Sequence, residues 1–170
     1  MHACARALSI LVLLFALPGA WPTDFAQPRP ALHAGGQPTK EDLAALRASG
    51  VTTVIDLRAA GEDRGFDEPA EVERLGMRYI ALPIGGKDDL TPANARALHQ
   101  LLQRERAGVL LHCASGNRVG ALLALGAVQE EGQSVESALA LGRAAGLKSL
   151  EPAVRNALSG PAKDSGTPDK

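Results

Sequence analysis

The chain has 170 residues, 45% of them hydrophobic, and a formal net charge of −1. That length and composition suit one domain with its own core, and a near-neutral balance without a basic run gives no footing for nucleic acid. Aromatic residues make up only 3%, so aliphatic and alanine side chains have to fill the core and base-stacking platforms are disfavoured.

Residues 1–20 read as a secretory signal. Arg6 gives a positive start, and residues 7–17 are apolar but short for a bilayer span. Leu17-Pro18-Gly19-Ala20 then offers small residues for cleavage. The alternative is an uncleaved membrane anchor. Either way the domain is exported, in a bacterium most simply to the periplasm or beyond. The two cysteines are Cys4 and Cys113. Cleavage leaves one thiol, which has no intramolecular disulfide partner, and the count excludes a cysteine-rich metal site.

Residues 21–32 contain Pro22, Pro28 and Pro30 and read as a linker. A domain over 33–158 follows. Residues 33–38 form a short first strand and a glycine turn, with His33 structural. Thr39 caps a helix, with Asp42 three residues on and Gly50 as its stop. Residues 51–57 are rich in β-branched side chains and read as a buried strand. Residues 68–75 form a short helix, and 77–84 a third strand. Thr91-Pro92 opens a helix whose apolar face is Ala95, Leu98, Leu101 and Leu102, with His99 partly buried beside them. Residues 108–112 form a strand. Residues 119–131 are apolar on most sides and belong to a centrally packed helix. Ser134 caps another helix reaching 145, Gly146 stops it, and Pro152 lies in the first turn of a last one. Residues 159–170 are polar and read as a disordered tail. Strands alternating with helices specify an α/β fold with a parallel or mostly parallel sheet; the strand order is not readable.

The chemistry concentrates in His112-Cys113-Ala114-Ser115-Gly116-Asn117-Arg118, between the 108–112 strand and the following helix. A helix N-terminus presents unpaired N–H groups and partial positive charge, which makes an anion site. Gly116 can take the backbone angles that turn successive N–H groups into one concavity. Arg118 brings a planar fork for a tetrahedral oxyanion, and Cys113 lies at the floor, the position in which a thiolate is favoured. His112, Ala114, Ser115, Gly116 and Asn117 complete the substrate-binding turn. Ser115 either donates to the thiolate or a bound oxygen, or stabilises the turn. Arg58 and Glu62 follow the 51–57 strand, and ligands gather beyond the carboxyl ends of such strands. Arg58 is therefore a further substrate-binding candidate; the alternative is an ordinary polar strand end.

This turn resembles that of the cysteine-dependent protein phosphatases of the dual-specificity and tyrosine type: histidine-cysteine, two residues, glycine, two residues, arginine. His112, Cys113 and Gly116 match. Arg118 arrives one residue early, and Val119 stands where the family often has a hydroxyl. The shorter spacing is similar to bacterial phosphatase-like domains related to beta-lactamase-hydrolase-like proteins, as are Gly35-Gly36-Gln37-Pro38 and Val54-Ile55-Asp56-Leu57-Arg58. It also equals the loop length of rhodanese-type sulfurtransferases. The phosphatase resemblance implies a small three-layer α/β domain that hydrolyses a phosphate monoester through a phosphocysteine on Cys113, with Arg118 on the phosphoryl oxygens. It implies a general acid on the loop after the preceding strand, Asp89 ahead of Asp88; the alternative is two solvated aspartates at a helix start. His112 would orient the loop, and without a hydroxyl after Arg118 the phosphocysteine would resolve slowly. The substrate would be a phosphorylated small molecule or phosphoprotein, with no cofactor or metal required. The competing readings are a sulfurtransferase working through a Cys113 persulfide and a phosphate-binding module without turnover.

Overall fold

The structure, a computed structural model, describes residues 25–105 and 107–159. The expected signal segment and the expected tail beyond residue 159 lie outside the described residues. Five strands occur in the order β1 (Ala26–Arg29), β2 (Leu32–Gly35), β3 (Thr53–Asp56), β4 (Arg78–Ala81) and β5 (Val109–His112). The helices are α1 (Lys40–Ala48), α2 (Glu68–Arg74), α3 (Pro92–Arg104), α4 (Asn117–Gln129), α5 (Val135–Ala144) and α6 (Glu151–Ser159), with a 3₁₀ turn at Lys87–Asp89. The spatial order is β1-β2-β5-β3-β4. All neighbouring pairs are parallel except β1 with β2.

Strand alternation divides the protein into three layers. Val54 and Leu110 face one side of the sheet and pack with Leu43 and Leu46 of α1 and Val72 of α2. Ile55 and Leu111 face the other side and pack with Leu98 of α3, Leu122 and Leu125 of α4, Leu139 of α5 and Val154 of α6. Both faces of the central strands are therefore covered, as a parallel sheet requires. The expected three-layer α/β domain is the observed one.

Local signals act where the sequence places them. Thr39 and Asp42 form a reciprocal capping box on α1, and Thr91 and Ser134 cap α3 and α5. The expected linker is in part a strand. Ala26–Arg29 lies antiparallel to β2 at the edge of the sheet, joined through Ala31 at φ 60°. Pro28 is tolerated there because an edge strand leaves one row of N–H positions unused. The last helix runs one residue into the expected tail, to Ser159. The helix after the cysteine turn begins at Asn117 rather than at 119. It also crosses α5 at very short range: a Cβ on Gly120 would stand 2.3 Å from the Gly142 carbonyl oxygen. Only glycine permits that approach.

This layout puts β5 between β2 and β3, with the turn leaving its carboxyl end in the middle of the sheet. That is where open α/β sheets bind ligands.

Candidate active site

The sequence from Cys113 to Arg118 folds as one turn into the start of α4. Gly116 takes φ 82° and caps the helix. Its N–H donates to Cys113 Sγ at 3.2 Å, and Cys113 itself is buried. The first N–H groups of α4 have no acceptor within the helix and are available to an anion at its start. Ala114 and Ser115 are exposed at the lip. Behind the turn, the Gly35-Gly36-Gln37 segment is bonded directly to it. Cys113 N–H donates to Gly35 O, Gln37 N–H donates to Ala114 O, and Gly36 bridges to Ser115. A Cβ on Gly36 would stand 3.2 Å from Ala114 O, which explains a glycine at that position.

Arg118 is held from behind. Its Nη2 donates to Glu62 Oε2 at 2.6 Å, and its Nη1 donates to Glu62 Oε1 and to Ile84 O at 2.7 Å. The pair is partly exposed. Arg118 pulls the Glu62 carboxyl below the usual carboxylate range, against the effect of burial. The Arg118 charge is favoured first by Glu62, opposed by burial and favoured again by Cys113. A fork fixed on one side and facing the thiol on the other is positioned for an oxyanion above Cys113.

Arg58 does not belong to that surface, and its expected substrate role is corrected here. Its side chain is 0% exposed. Nε and Nη2 donate to the two carboxylate oxygens of Asp56, each at 3.0 Å, and Nη2 also bonds Glu68. Among the described residues Nη1 has no hydrogen-bond partner, but the whole side chain is enclosed, so no edge of the guanidinium faces a ligand. His112 completes this cluster: its Nε2 is 2.7 Å from Glu68 Oε1, misaligned for a hydrogen bond, and 3.9 Å from Asp56 Oδ1. It is fully buried, so its side chain presents no surface to a substrate. Ligand atoms of Asp56, Glu68 and His112 lie within 4.8 Å of one another, a spacing that suits a metal ion. The Arg58 guanidinium already supplies the cation those carboxylates need.

Asn117 also differs from expectation. Both ends of its amide turn away from the concavity: Oδ1 accepts from Lys148 N–H at 2.8 Å and Leu150 N–H at 3.3 Å, and Nδ2 donates to Ser149 Oγ at 2.6 Å. Gly146 presses on Gly116 from the same side, so that a Cβ on it would stand 3.1 Å from the Gly116 backbone. The 146–150 turn is therefore a wall of the cradle.

Asp88 and Asp89 lie on the loop that follows Ile84, whose carbonyl accepts from Arg118. Asp88 is exposed. Asp89 is folded back on its own loop, with Oδ2 accepting from Gly85 N–H at 2.6 Å. Among the described residues neither carboxylate bonds to the cysteine turn. Two contributors went unread in the sequence. Glu68 looks like an ordinary first-turn acid beside Pro69, and the 146–150 turn looks like a helix stop.

A mostly parallel three-layer sheet with a cysteine-to-arginine turn at its centre defines a phosphatase-type domain of the dual-specificity and protein-tyrosine class. Residues 23–153 match the sequence profile of the PTP-NADK family, described as DSP-PTPase phosphatase fused to NAD+ kinase, and the chain belongs to this family. It is 32% identical over 119 residues to the beta-lactamase hydrolase-like protein of Xylella fastidiosa strain Temecula1, covering 68% of this chain and 27% of that protein. The chain thus spans about a quarter of the length of that relative. In structure it is similar to a candidate phosphatase from Neisseria meningitidis Z2491, with TM-score 0.66 and 22% identity over 78% of this chain and 94% of the other. It is also similar to TpbA of P. aeruginosa solved with phosphotyrosine, with TM-score 0.58 and 21% identity over 82% and 91% of the two chains. These likenesses show the fold.

Proposed function

We propose that the protein is an exported cysteine-dependent phosphatase that hydrolyses a phosphate monoester through a phosphocysteine. The observation that carries this reading is the Cys113 thiol on the floor of the turn, with the Gly116 N–H at 3.2 Å and the Arg118 fork fixed beside it by Glu62 and Ile84. The Cys113 thiolate attacks phosphorus, and the bond to the ester oxygen breaks as the sulfur–phosphorus bond forms. Arg118 and the N–H groups of the turn hold the equatorial oxygens. The departing oxygen takes a proton from a carboxylic acid on the 85–89 loop, Asp89 in this reading, once that side chain leaves Gly85. Water then displaces the sulfur, releasing phosphate and restoring the thiolate.

The test is release of phosphate from an aryl phosphate, blocked by vanadate, with a phosphoryl group trapped on Cys113 by a rapid quench that spares the sulfur–phosphorus bond and read by mass spectrometry. Cys113→Ser should lower kcat by at least ~10⁴-fold while the thermal midpoint stays near that of the wild type. Undiminished turnover in that variant would end the reading. The four-residue spacing between Cys113 and Arg118 favours one rival, sulfur transfer through a Cys113 persulfide. Thiosulfate leaving one added sulfur on Cys113, with aryl phosphates inert, would establish that rival. Export is tested separately, by fractionating the producing cells and sequencing the N-terminus of the mature chain. A cytoplasmic chain beginning at Met1 would exclude it.

A further inference from the structure

The walls of the cradle bear on what kind of phosphate ester it takes. The segments that enclose the cysteine turn are residues 35–38, 59–65, 84–89 and 146–149, and none contains an aromatic residue. The aromatic side chains of the described residues, Phe25, Phe66 and Tyr79, all pack against the cluster beneath α1 and α2. Phe66 is further covered by the Lys40 ammonium, 5.5 Å from its ring centre, and the Tyr79 hydroxyl is bonded to Asp56. Cys113 lies in the other cluster, whose members are aliphatic. Among the described residues, the ring of a phosphotyrosine would find no face to stack on.

Charge is available instead. The Arg118 charge is shared with Glu62. Beyond it, Lys148 stands on the 146–150 turn, exposed and without an ion pair among the described residues. Its backbone is fixed against the cradle, since its N–H donates to Asn117, the residue next to Arg118. The acid closest in sequence, Glu151, is shared by Arg143 and Arg155, and Arg155 also pairs with Glu136. Two carboxylates thus serve two arginines, and Lys148 is left as the uncompensated charge of that wall. Lys87, on the 85–89 loop, is followed directly by Asp88 and Asp89.

We infer that Lys148 is a specificity-determining residue and that the substrate is a small aliphatic phosphate ester bearing a second phosphate. This rests on the phosphatase reading. One phosphate sits over Cys113 under Arg118, and the second meets the Lys148 ammonium at the rim. A charge-assisted contact of this kind corresponds to ~10- to 100-fold in binding.

The test compares kcat/KM for an inositol bisphosphate, the matching inositol monophosphate, a phosphotyrosine peptide and an aryl phosphate, in the wild type and in Lys148→Met. The bisphosphate should exceed both the monophosphate and the peptide by about tenfold or more. Lys148→Met should lower the bisphosphate rate at least about fivefold more than the aryl phosphate rate. A parallel titration of Cys113→Ser protein, with and without Lys148→Met, should show the same loss for bisphosphate binding. Equal rates for mono- and bisphosphate, preference for the peptide, or a uniform loss in the lysine variant would each overturn the inference while leaving the phosphatase reading intact. Inert aryl phosphate, with no phosphate released from any ester, would overturn the phosphatase reading and this inference with it.

Discussion

Arg58 and Arg118 follow neighbouring strands of one sheet, and each binds a glutamate through its guanidinium, yet they do opposite work. Arg58 has 0% side-chain exposure and is surrounded by two carboxylates that are equally buried. Its charge is consumed by cancelling theirs. Arg118 has 12% side-chain exposure, one carboxylate that is itself 31% exposed, and one backbone carbonyl. Glu62 and Ile84 hold it from one side and leave the side facing Cys113. A fully enclosed arginine belongs to the framework, whereas an arginine clamped from behind is oriented for a ligand. The two meet at Cys113, since the Arg58 cluster ends at His112, one residue before the thiol.

Stability separates the two arginines most sharply. Arg58→Met removes the shared cation, leaving buried Glu68 without an arginine and Asp56 with only Arg64 and the Tyr79 hydroxyl, which should cost ~3–5 kcal/mol. The urea midpoint should fall accordingly. Arg118→Met exposes a partly solvated carboxylate and should cost within ~1 kcal/mol. Similar midpoints for the two variants would break the distinction.

Activity should separate them in the other direction. Arg118→Lys keeps the charge but cannot make the two-point planar contact with Glu62 and an oxyanion together. A loss of ~10²- to 10³-fold in kcat on an aryl phosphate is expected, with a thermal midpoint close to the wild type. Rates near the wild type would show that charge alone suffices. Asp89→Asn comes next. With an alkyl phosphate, whose leaving oxygen needs a proton, kcat should fall ~100-fold. With an aryl phosphate the loss should be only a few-fold, and Asp88→Asn should do less on both. Equal small losses at both positions would place the acid on another segment.

Much of this was open to a reading of the sequence, for reasons that can be traced. Helix caps such as Thr39 with Asp42 are local, and their side-chain bonds span three residues. The cysteine turn is likewise contiguous. The alternation of Val54 and Ile55, or Leu110 and Leu111, between two faces is local too. What stayed hidden depends on contacts distant in sequence. Nothing near Arg58 distinguishes it from an exposed strand-end arginine until α2 brings Glu68 onto it. Nothing near Asn117 shows that its amide will be occupied by a turn 31 residues on. β1 was concealed for a different reason: Pro28 within it and Pro30 just after it mimic a linker, and its one partner is β2.

The smallest expected effect comes from the buried side of the comparison and concerns pH. Burial alone would raise the Asp56 carboxyl, but the Arg58 bonds, His112 and the Tyr79 hydroxyl outweigh it and bring it from 3.8 down to about 2. The unfolded chain therefore binds the proton first as acid is added. The resulting stabilisation, on the order of 2 kcal/mol, is complete above about pH 5 and is lost as pH falls from about 4 toward 2. Tyr79 gives the mirror image. Burial first and then Asp56 push its hydroxyl from 10.0 up to about 12. Its contribution is complete below pH 10 and is lost as pH rises through about 12. One hydrogen bond, Tyr79 Oη to Asp56 Oδ2 at 2.7 Å, thus couples the acid and alkaline edges of the stability profile. Tyr79→Phe should remove the alkaline loss and shift the acid edge slightly upward, since Asp56 loses one donor. Chemical denaturation at closely spaced pH values would measure both edges. An acid edge that stays in place in Tyr79→Phe would show that Arg58 and His112 set the carboxylate without Tyr79, and that the cluster does not extend to that hydroxyl.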